Sequence, residues 1–221
     1  MKGKDNNMLK NIEGAIFDLD GTLVDSMWVW SQIDVDYLKS KGHTLPQNLN
    51  SEICHLSFTQ TANYFKKRFN LSDSIENILY DWNEMAYNHY SENVKLKAGA
   101  KEFLNKLKEK NIKIALATSN SIPLLEACLK NNDIYDYFDS ITTTDEVSNG
   151  KNCPDVYLLA AKKINVDPTK CIVFEDILPA IKGAKSSHMT VVAVHDEHSA
   201  NDLEGIIEAS DKYINSYFEL I

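Results

Sequence analysis

The stretch that decides the fold runs from Ile16 to Asp25 and reads I-F-D-L-D-G-T-L-V-D. Asp18 and Asp20 stand at the end of an apolar run that is typical of a short buried strand, and Gly21 interrupts the run directly afterwards. A glycine at that point permits a sharp turn of the chain. Two carboxylates placed this close together need a cation or a shared proton. Because open α/β sheets bind their ligands at the carboxyl ends of strands, we predict an acidic ligand site here.

The composition of the chain restricts the partners that it can bind. Its 221 residues are 43% hydrophobic, which suits one large domain or two unequal ones with a sizeable core. The formal net charge of −9 leaves no basic surplus to neutralise a phosphate backbone, so we expect no nucleic-acid partner. No apolar run approaches the roughly 18 residues that span a membrane, and no apolar signal segment follows the polar N-terminus. We therefore expect a cytoplasmic protein that does not bind membranes.

From Gly99 onward the pattern alternates between helices and strands. Apolar residues at helical spacing predict helices at 101–108, 123–131, 154–164 and 178–186. Short apolar runs predict strands at 112–117, 141–143, 171–174 and 190–194, of which the last is expected to end the sheet. Regular alternation of this kind produces a parallel sheet that is covered on both faces. We predict an α/β fold whose core is a Rossmann-like doubly wound parallel sheet.

The stretch from Met27 to Asn93 differs because it contains no convincing strand. It carries all three tryptophans of the chain, and helical patterns are predicted at 28–41, 60–69 and 74–91. We predict an all-helical cap domain over residues 23–93, inserted into a Rossmann-like core of residues 1–22 and 94–221. Such an insertion is well placed to act as a lid. Packing the helices together is the expected role of most of its aromatic side chains.

Further polar residues lie at the ends of predicted strands or in the loop before a predicted helix. They are Thr118-Ser119-Asn120, Lys151 and Glu175-Asp176. Taken singly, each has a structural explanation: a helix cap, a solvated surface charge and an anionic pair at a helix N-terminus. In a parallel sheet, however, these positions share one edge with Asp18 and Asp20. Together they form a set that suits phosphoryl transfer through an aspartyl phosphate.

The expected roles follow from the chemistry of each side chain. Asp18 would attack phosphorus, while Asp20 would protonate the leaving alkoxide and then deprotonate the attacking water. Four polar residues would bind the phosphate oxygens and the charge developing on them: Thr118, Ser119, Asn120 and Lys151. Mg²⁺ would be held by Asp176 with Asp18 and a backbone carbonyl. The full set of candidate metal ligands is Asp18, Asp20, Glu175 and Asp176.

These motifs resemble those of the haloacid dehalogenase-like superfamily of phosphohydrolases, in the branch with a helical cap inserted after the first strand. The resemblance covers nearly the whole chain, and the four motifs match at Phe17–Ser26, 118–120, 150–155 and 174–176. It implies a Mg²⁺-dependent phosphomonoesterase or phosphomutase with Asp18 as nucleophile and Asp20 as acid and base. The dehalogenases of the superfamily lack the second aspartate of the first motif, so Asp20 favours phosphate over halide.

The sequence favours a phosphatase over a β-phosphoglucomutase-like phosphomutase. The mutase branch carries a His at the position of Trp30 and an Arg in the first cap loop. The matching loop of this chain, residues 55–60, contains no Arg or Lys. Trp30 and Phe58 suit the apolar face of a sugar or base, and His55 is a further candidate for substrate contact. We predict a monomeric phosphatase acting on a sugar phosphate or a nucleoside monophosphate. A phosphomutase and a non-catalytic phosphate-sensing module are the alternatives.

Overall fold

A computed structural model describes residues 8–53, 56 and 58–221 of the chain. The strands in this part are β1 (Gly14–Phe17), β2 (Val24–Asp25), β3 (Lys95–Leu96), β4 (Lys113–Thr118), β5 (Ser140–Thr143), β6 (Cys171–Glu175), β7 (Thr190–Val194) and β8 (Lys212–Ile214). The helices are α1 (Met27–Ser40), α2 (Leu49–Ile53), α3 (Phe58–Arg68), α4 (Ile75–Glu92), α5 (Ala100–Glu109), α6 (Ile122–Asn131), α7 (Asp155–Lys163), α8 (Leu178–Lys185) and α9 (Leu203–Ala209). None of these described helices is long and apolar enough to cross a membrane.

Six of the described strands form one parallel sheet in the order β5-β4-β1-β6-β7-β8. From β1 the chain adds β4 and β5 on one side, and it then returns to the other side of β1 to add β6, β7 and β8. The direction of winding therefore reverses between β1 and β6. Doubly wound sheets bind ligands in the crevice at the carboxyl ends of the strands at such a reversal. The predicted Rossmann-like doubly wound fold is confirmed.

Side chains of the central strands alternate between two buried cores, one on each face of the sheet. In β1, Ala15 and Phe17 belong to one core and Ile16 belongs to the other. Phe17 lies opposite Phe174 of β6, and the two rings stack with their centroids 4.5 Å apart. Burial on both faces explains why these strands are almost continuously apolar. The parallel pairing of β1 with β6 places the carboxyl ends of these two strands side by side.

The helices α1 to α4 lie in residues 27–92, which we call the helical segment. Its longest helix, α4, packs against α1 and α3 within the segment and against α6 outside it. The ring of Trp82 meets those of Tyr37, Phe58 and Phe65 at centroid distances of 5.6, 5.5 and 4.9 Å. These aromatic side chains therefore hold the helices together. The division of the chain into core and cap domains stays a prediction.

The structure adds elements that the sequence pattern does not predict. The strands β2 and β3 pair antiparallel where the chain enters and leaves the helical segment. The expectation that residues 190–194 end the sheet is wrong, because β8 pairs in parallel with β7. Two-residue and three-residue strands are too short to show a period, and the same holds for the single turn of α2. The sequence pattern does not predict α9 either.

Candidate active site

The first carboxylate pair lies in a turn that follows β1. The backbone N–H of Asp18 still donates to the carbonyl of Phe174, 3.0 Å away, and the chain then turns through Gly21 at a φ of 77°. A Cβ atom on Gly21 would collide with the carboxylate of Asp176. Glycine is therefore needed here both for the positive φ and for the close approach of Asp176. This turn brings the ends of β1 and β6 to one site.

Lys151 lies between two of the buried carboxylates. Its ammonium group donates to Asp18 and, over 2.8 Å, to Oε1 of Glu175. The same oxygen accepts the hydroxyl of Tyr157 over 2.7 Å. Burial by itself would lower the pKa of Lys151, but the charges of Asp18 and Glu175 outweigh it and raise that pKa. The lysine is therefore a fixed cation beside the carboxylate of Asp18.

Three buried carboxylates form a cluster that fits a hard cation. One oxygen each from Asp18, Glu175 and Asp176 lies within 4.8 Å of the other two, and Thr22 donates to Oδ1 of Asp176 over 3.0 Å. Among the described residues, the buried Oε2 of Glu175 has no hydrogen-bond partner. Burial, with the charge of Asp18, raises the pKa of Asp176 well above its ordinary value. Such crowding of acidic oxygens is relieved by a divalent cation, and oxygen ligands are those that Mg²⁺ prefers.

Asp20 lies outside this cluster and has its own set of donors. The hydroxyls of Ser26 (2.6 Å) and Tyr90 donate to its Oδ1, and the amide of Asn120 donates to its Oδ2 over 2.8 Å. Burial, together with the negative charge of Asp18, raises the pKa of Asp20, although these hydrogen bonds oppose the shift. A carboxyl group with a raised pKa retains a proton that it can donate. Its side chain therefore differs in surroundings from the other candidate metal ligands.

The segment after β4 places polar side chains at the cavity and beside Asp20. Thr118 and Ser119 line the same cavity as Asp18. Asn120 was expected to bind phosphate, but its amide group donates to Asp20, and its Oδ1 accepts the backbone N–H of Ser121. Its backbone N–H donates to Oγ1 of Thr118 over 3.0 Å. Asn120 therefore contacts Asp20 in the structure, and its binding to phosphate stays a prediction.

A cavity of about 330 Å³ lies between the strand ends and the helical segment. Asp18, Asp20, Lys151, Glu175 and Asp176 lie at its core side. Trp30 and Phe58 line it from the helical segment, with their rings 5.5 Å apart, and their contact with substrate stays a prediction. His55, the third candidate there, lies outside the described residues.

Several residues of the site have no signal in the sequence that identifies their role. Thr22 and Ser26 lie within the first motif, but the pattern does not show which carboxylate each one contacts. Tyr90 in α4 and Tyr157 in α7 occupy helical positions that are typical of core side chains. The one signal for these two residues is the hydroxyl group itself, since buried Tyr hydroxyls usually have a hydrogen-bond partner.

Several known proteins are similar to this chain in sequence and in fold. The family model described as haloacid dehalogenase-like hydrolase matches residues 15–194. The phosphorylated carbohydrates phosphatase of Thermotoga maritima is 33% identical over 200 residues, which cover 90% of this chain and 91% of that protein. Hexitol phosphatase B of Escherichia coli is 27% identical, with 96% and 95% covered. The structure of CbbY from Rhodobacter sphaeroides in complex with phosphate has the same fold, with a TM-score of 0.85 at 21% identity and 95% and 96% covered.

Proposed function

Since the chain belongs to the haloacid dehalogenase-like hydrolase family, we propose that it is a Mg²⁺-dependent phosphatase that works through an aspartyl phosphate on Asp18. The observation that carries this proposal is the separation of the two motif carboxylates into different environments. Asp18 belongs to the acidic cluster and lies beside a fixed ammonium group. Asp20 is held by three neutral donors and has a raised pKa. A carboxyl group that retains its proton is suited to the role of acid, and a carboxylate beside a fixed cation is suited to the role of nucleophile.

In the first step, an oxygen of Asp18 forms a bond to phosphorus while the bond from phosphorus to the substrate's ester oxygen breaks. Asp20 gives its proton to that departing oxygen, which leaves as an alcohol. In the second step, Asp20 takes a proton from water as the water oxygen bonds to phosphorus. The bond from phosphorus to Asp18 then breaks, inorganic phosphate leaves, and both carboxyl groups regain their starting states.

The charge on the phosphoryl group is balanced by groups that are already in place. Lys151, Thr118 and Ser119 face the cavity and supply donors for the nonbridging oxygens. Asp18 and Asp176, with Glu175 beside them, would hold Mg²⁺. When bound, the cation supplies positive charge that offsets the repulsion between a phosphate dianion and the buried carboxylates.

The substrate class is a small phosphorylated metabolite, and we propose a sugar phosphate before a nucleoside monophosphate. Two relatives support this choice by their names, since one is a phosphatase of phosphorylated carbohydrates and the other is a hexitol phosphatase. The aromatic rings of Trp30 and Phe58 in the cavity suit the apolar face of a sugar.

The test is a phosphate-release assay in Mg²⁺ on a panel of sugar phosphates and nucleoside monophosphates. We expect release from at least one member by the wild type and none by Asp18→Asn, whose fold is checked by circular dichroism. Near-wild-type release by a folded Asp18→Asn sample would contradict the aspartyl-phosphate mechanism. Isomerisation of β-glucose 1-phosphate to glucose 6-phosphate without phosphate release would favour the phosphomutase instead. Absence of any turnover would favour the sensing module.

A further inference from the structure

One face of α1 lines the cavity and carries a carboxylate. Met27, Trp30, Ser31 and Asp34 all line the cavity, at the spacing of neighbouring turns on one side of a helix. At about 1.5 Å of rise per residue, Asp34 lies about 10 Å along the helix from Met27, which is next to the core. Asp34 therefore faces the end of the cavity that is remote from the strand ends.

The surroundings of Asp34 do not satisfy its carboxylate. It is partly buried, and no described residue forms a hydrogen bond or an ion pair with it. The nearby cavity walls include Trp30, Phe58 and Trp82, which offer mainly apolar surface. Burial alone raises the pKa of Asp34 to about 7. A carboxyl group left unpaired beside aromatic walls weakens the fold, so its place needs a reason other than stability.

The charges around the cavity indicate what Asp34 can bind. Among the described lining residues, Lys151 is the one Lys or Arg side chain, and it lies at the phosphate end beside Asp18. A second phosphate at the remote end would therefore face the carboxyl group of Asp34 with no described Lys or Arg to balance it. Neutral hydroxyl groups, in contrast, can donate hydrogen bonds to its oxygens. Ser31 also lines the cavity and carries a hydroxyl.

Resting on the proposed phosphatase function, we propose that Asp34 determines specificity by accepting hydrogen bonds from hydroxyls at the unphosphorylated end of the substrate. The substrate is then a monophosphate of a neutral polyol or sugar. Its phosphate lies at Asp18, its carbon chain passes Trp30 and Phe58, and its far hydroxyls reach Asp34. A sugar bisphosphate is rejected, because its second phosphate would meet an acidic group.

The test compares Asp34→Leu with Asp36→Leu on three phosphate esters. Asp36 is on the same helix but is exposed, and it accepts a hydrogen bond from Gln32 over 2.9 Å, so its replacement is the matched control. The substrates are sorbitol 6-phosphate, fructose 1,6-bisphosphate and 4-nitrophenyl phosphate, which has no hydroxyl group. For the wild type we expect kcat/KM to be highest on sorbitol 6-phosphate and lowest on the bisphosphate.

For Asp34→Leu we expect the ratio of kcat/KM on sorbitol 6-phosphate to that on 4-nitrophenyl phosphate to fall by about tenfold or more, because a hydrogen bond to a partly buried carboxyl group is lost. Asp36→Leu should keep the wild-type ratio. An unchanged ratio in Asp34→Leu would overturn the inference, as would a wild type that prefers the bisphosphate. A wild type that cleaves only 4-nitrophenyl phosphate would overturn the inference and leave the phosphatase function standing. No cleavage of any ester would overturn both.

Discussion

The hydroxyl group of Tyr90 donates a hydrogen bond to the carboxylate of Asp20, across a sequence separation of 70 residues. Tyr90 lies near the end of α4, in the helical segment, whereas Asp20 follows the central strand of the sheet. The ring of Tyr90 is buried and lies 6.0 Å from that of Trp30, which lines the cavity. The position of the helical segment is thereby linked to the proposed general acid.

Removing this hydroxyl should impair catalysis more than binding. We expect Tyr90→Phe to lower kcat by about tenfold, because leaving a buried polar group without its partner costs about 1–3 kcal/mol, while KM changes little. Steady-state kinetics on the best sugar phosphate provide the measurement. Tyr87→Phe, on the exposed side of the same helix, is the control. Equal rates for the two variants would show that the Tyr90 hydroxyl does not position Asp20.

Asn120 offers a separate check on how Asp20 is held. Because its amide contacts Asp20 in the structure, we expect Asn120→Ala to lower kcat by about tenfold with little change in KM. A phosphate-binding role would instead raise KM. Inhibition by inorganic phosphate, measured on the same variant, distinguishes the two roles, since only a phosphate ligand would weaken that inhibition.

The acidic cluster should make stability depend on Mg²⁺. We expect Mg²⁺ to raise the melting temperature of the wild type, because the cation binds the folded cluster and not the unfolded chain. Asp176→Asn should melt at a higher temperature than the wild type in chelator, since it removes repulsion, and it should lose the response to Mg²⁺. Activity should disappear in chelator and return with Mg²⁺ but poorly with Ca²⁺. The exposed Asp145→Asn is the control, and an equal response to Mg²⁺ in Asp176→Asn would refute this site.

Gly183 on α8 leaves room for the backbone of the loop that carries Lys151. A Cβ atom on Gly183 would collide with the backbone carbonyl of Lys151, so the loop must move to admit a side chain. We expect Gly183→Ala to lower kcat/KM by about tenfold or more in a folded protein, because small displacements of catalytic groups are costly. In Gly205→Ala the new Cβ would meet only the flexible side chain of Leu178, 3.0 Å away, and activity should be retained. Full activity in both would mean that the loop relaxes without moving the ammonium group.

The effect of Asp34 on stability should depend on pH. Its pKa is about 7 in the folded protein, above the ordinary value of 3.8, so between these values the folded state keeps a proton that the unfolded state has lost. Stability is therefore lost as the pH rises from 3.8 to about 7, and the loss is complete above that pH. Asp34→Asn removes this loss, and we expect it to raise the melting temperature by several degrees at pH 8 and hardly at all at pH 4. The same gain at both pH values would contradict the raised pKa, and Asp36→Asn is the control.

The sequence by itself determined the class of the fold and the members of the acidic site. Alternating strands and helices after Gly99 require a parallel sheet, and the carboxyl ends of parallel strands must share an edge. Asp18, Lys151 and Asp176 could therefore be assigned to one site before their coordinates were known. Short elements such as β2, β3 and β8 could not be predicted, because their pairing depends on partners that are distant in the sequence.

Only the tertiary structure decided which group each polar side chain contacts. Asn120 has the same local sequence whether it binds phosphate or Asp20, and its position opposite Asp20 follows from the pairing of β4 with β1. The pattern of α4 marks Tyr90 as a core residue, and the pattern of α1 gives no role to Asp34. A local period shows which side of a helix is apolar, but what lies opposite that side is set by the packing of whole elements. That packing places Tyr90 against Asp20 and Asp34 in the cavity.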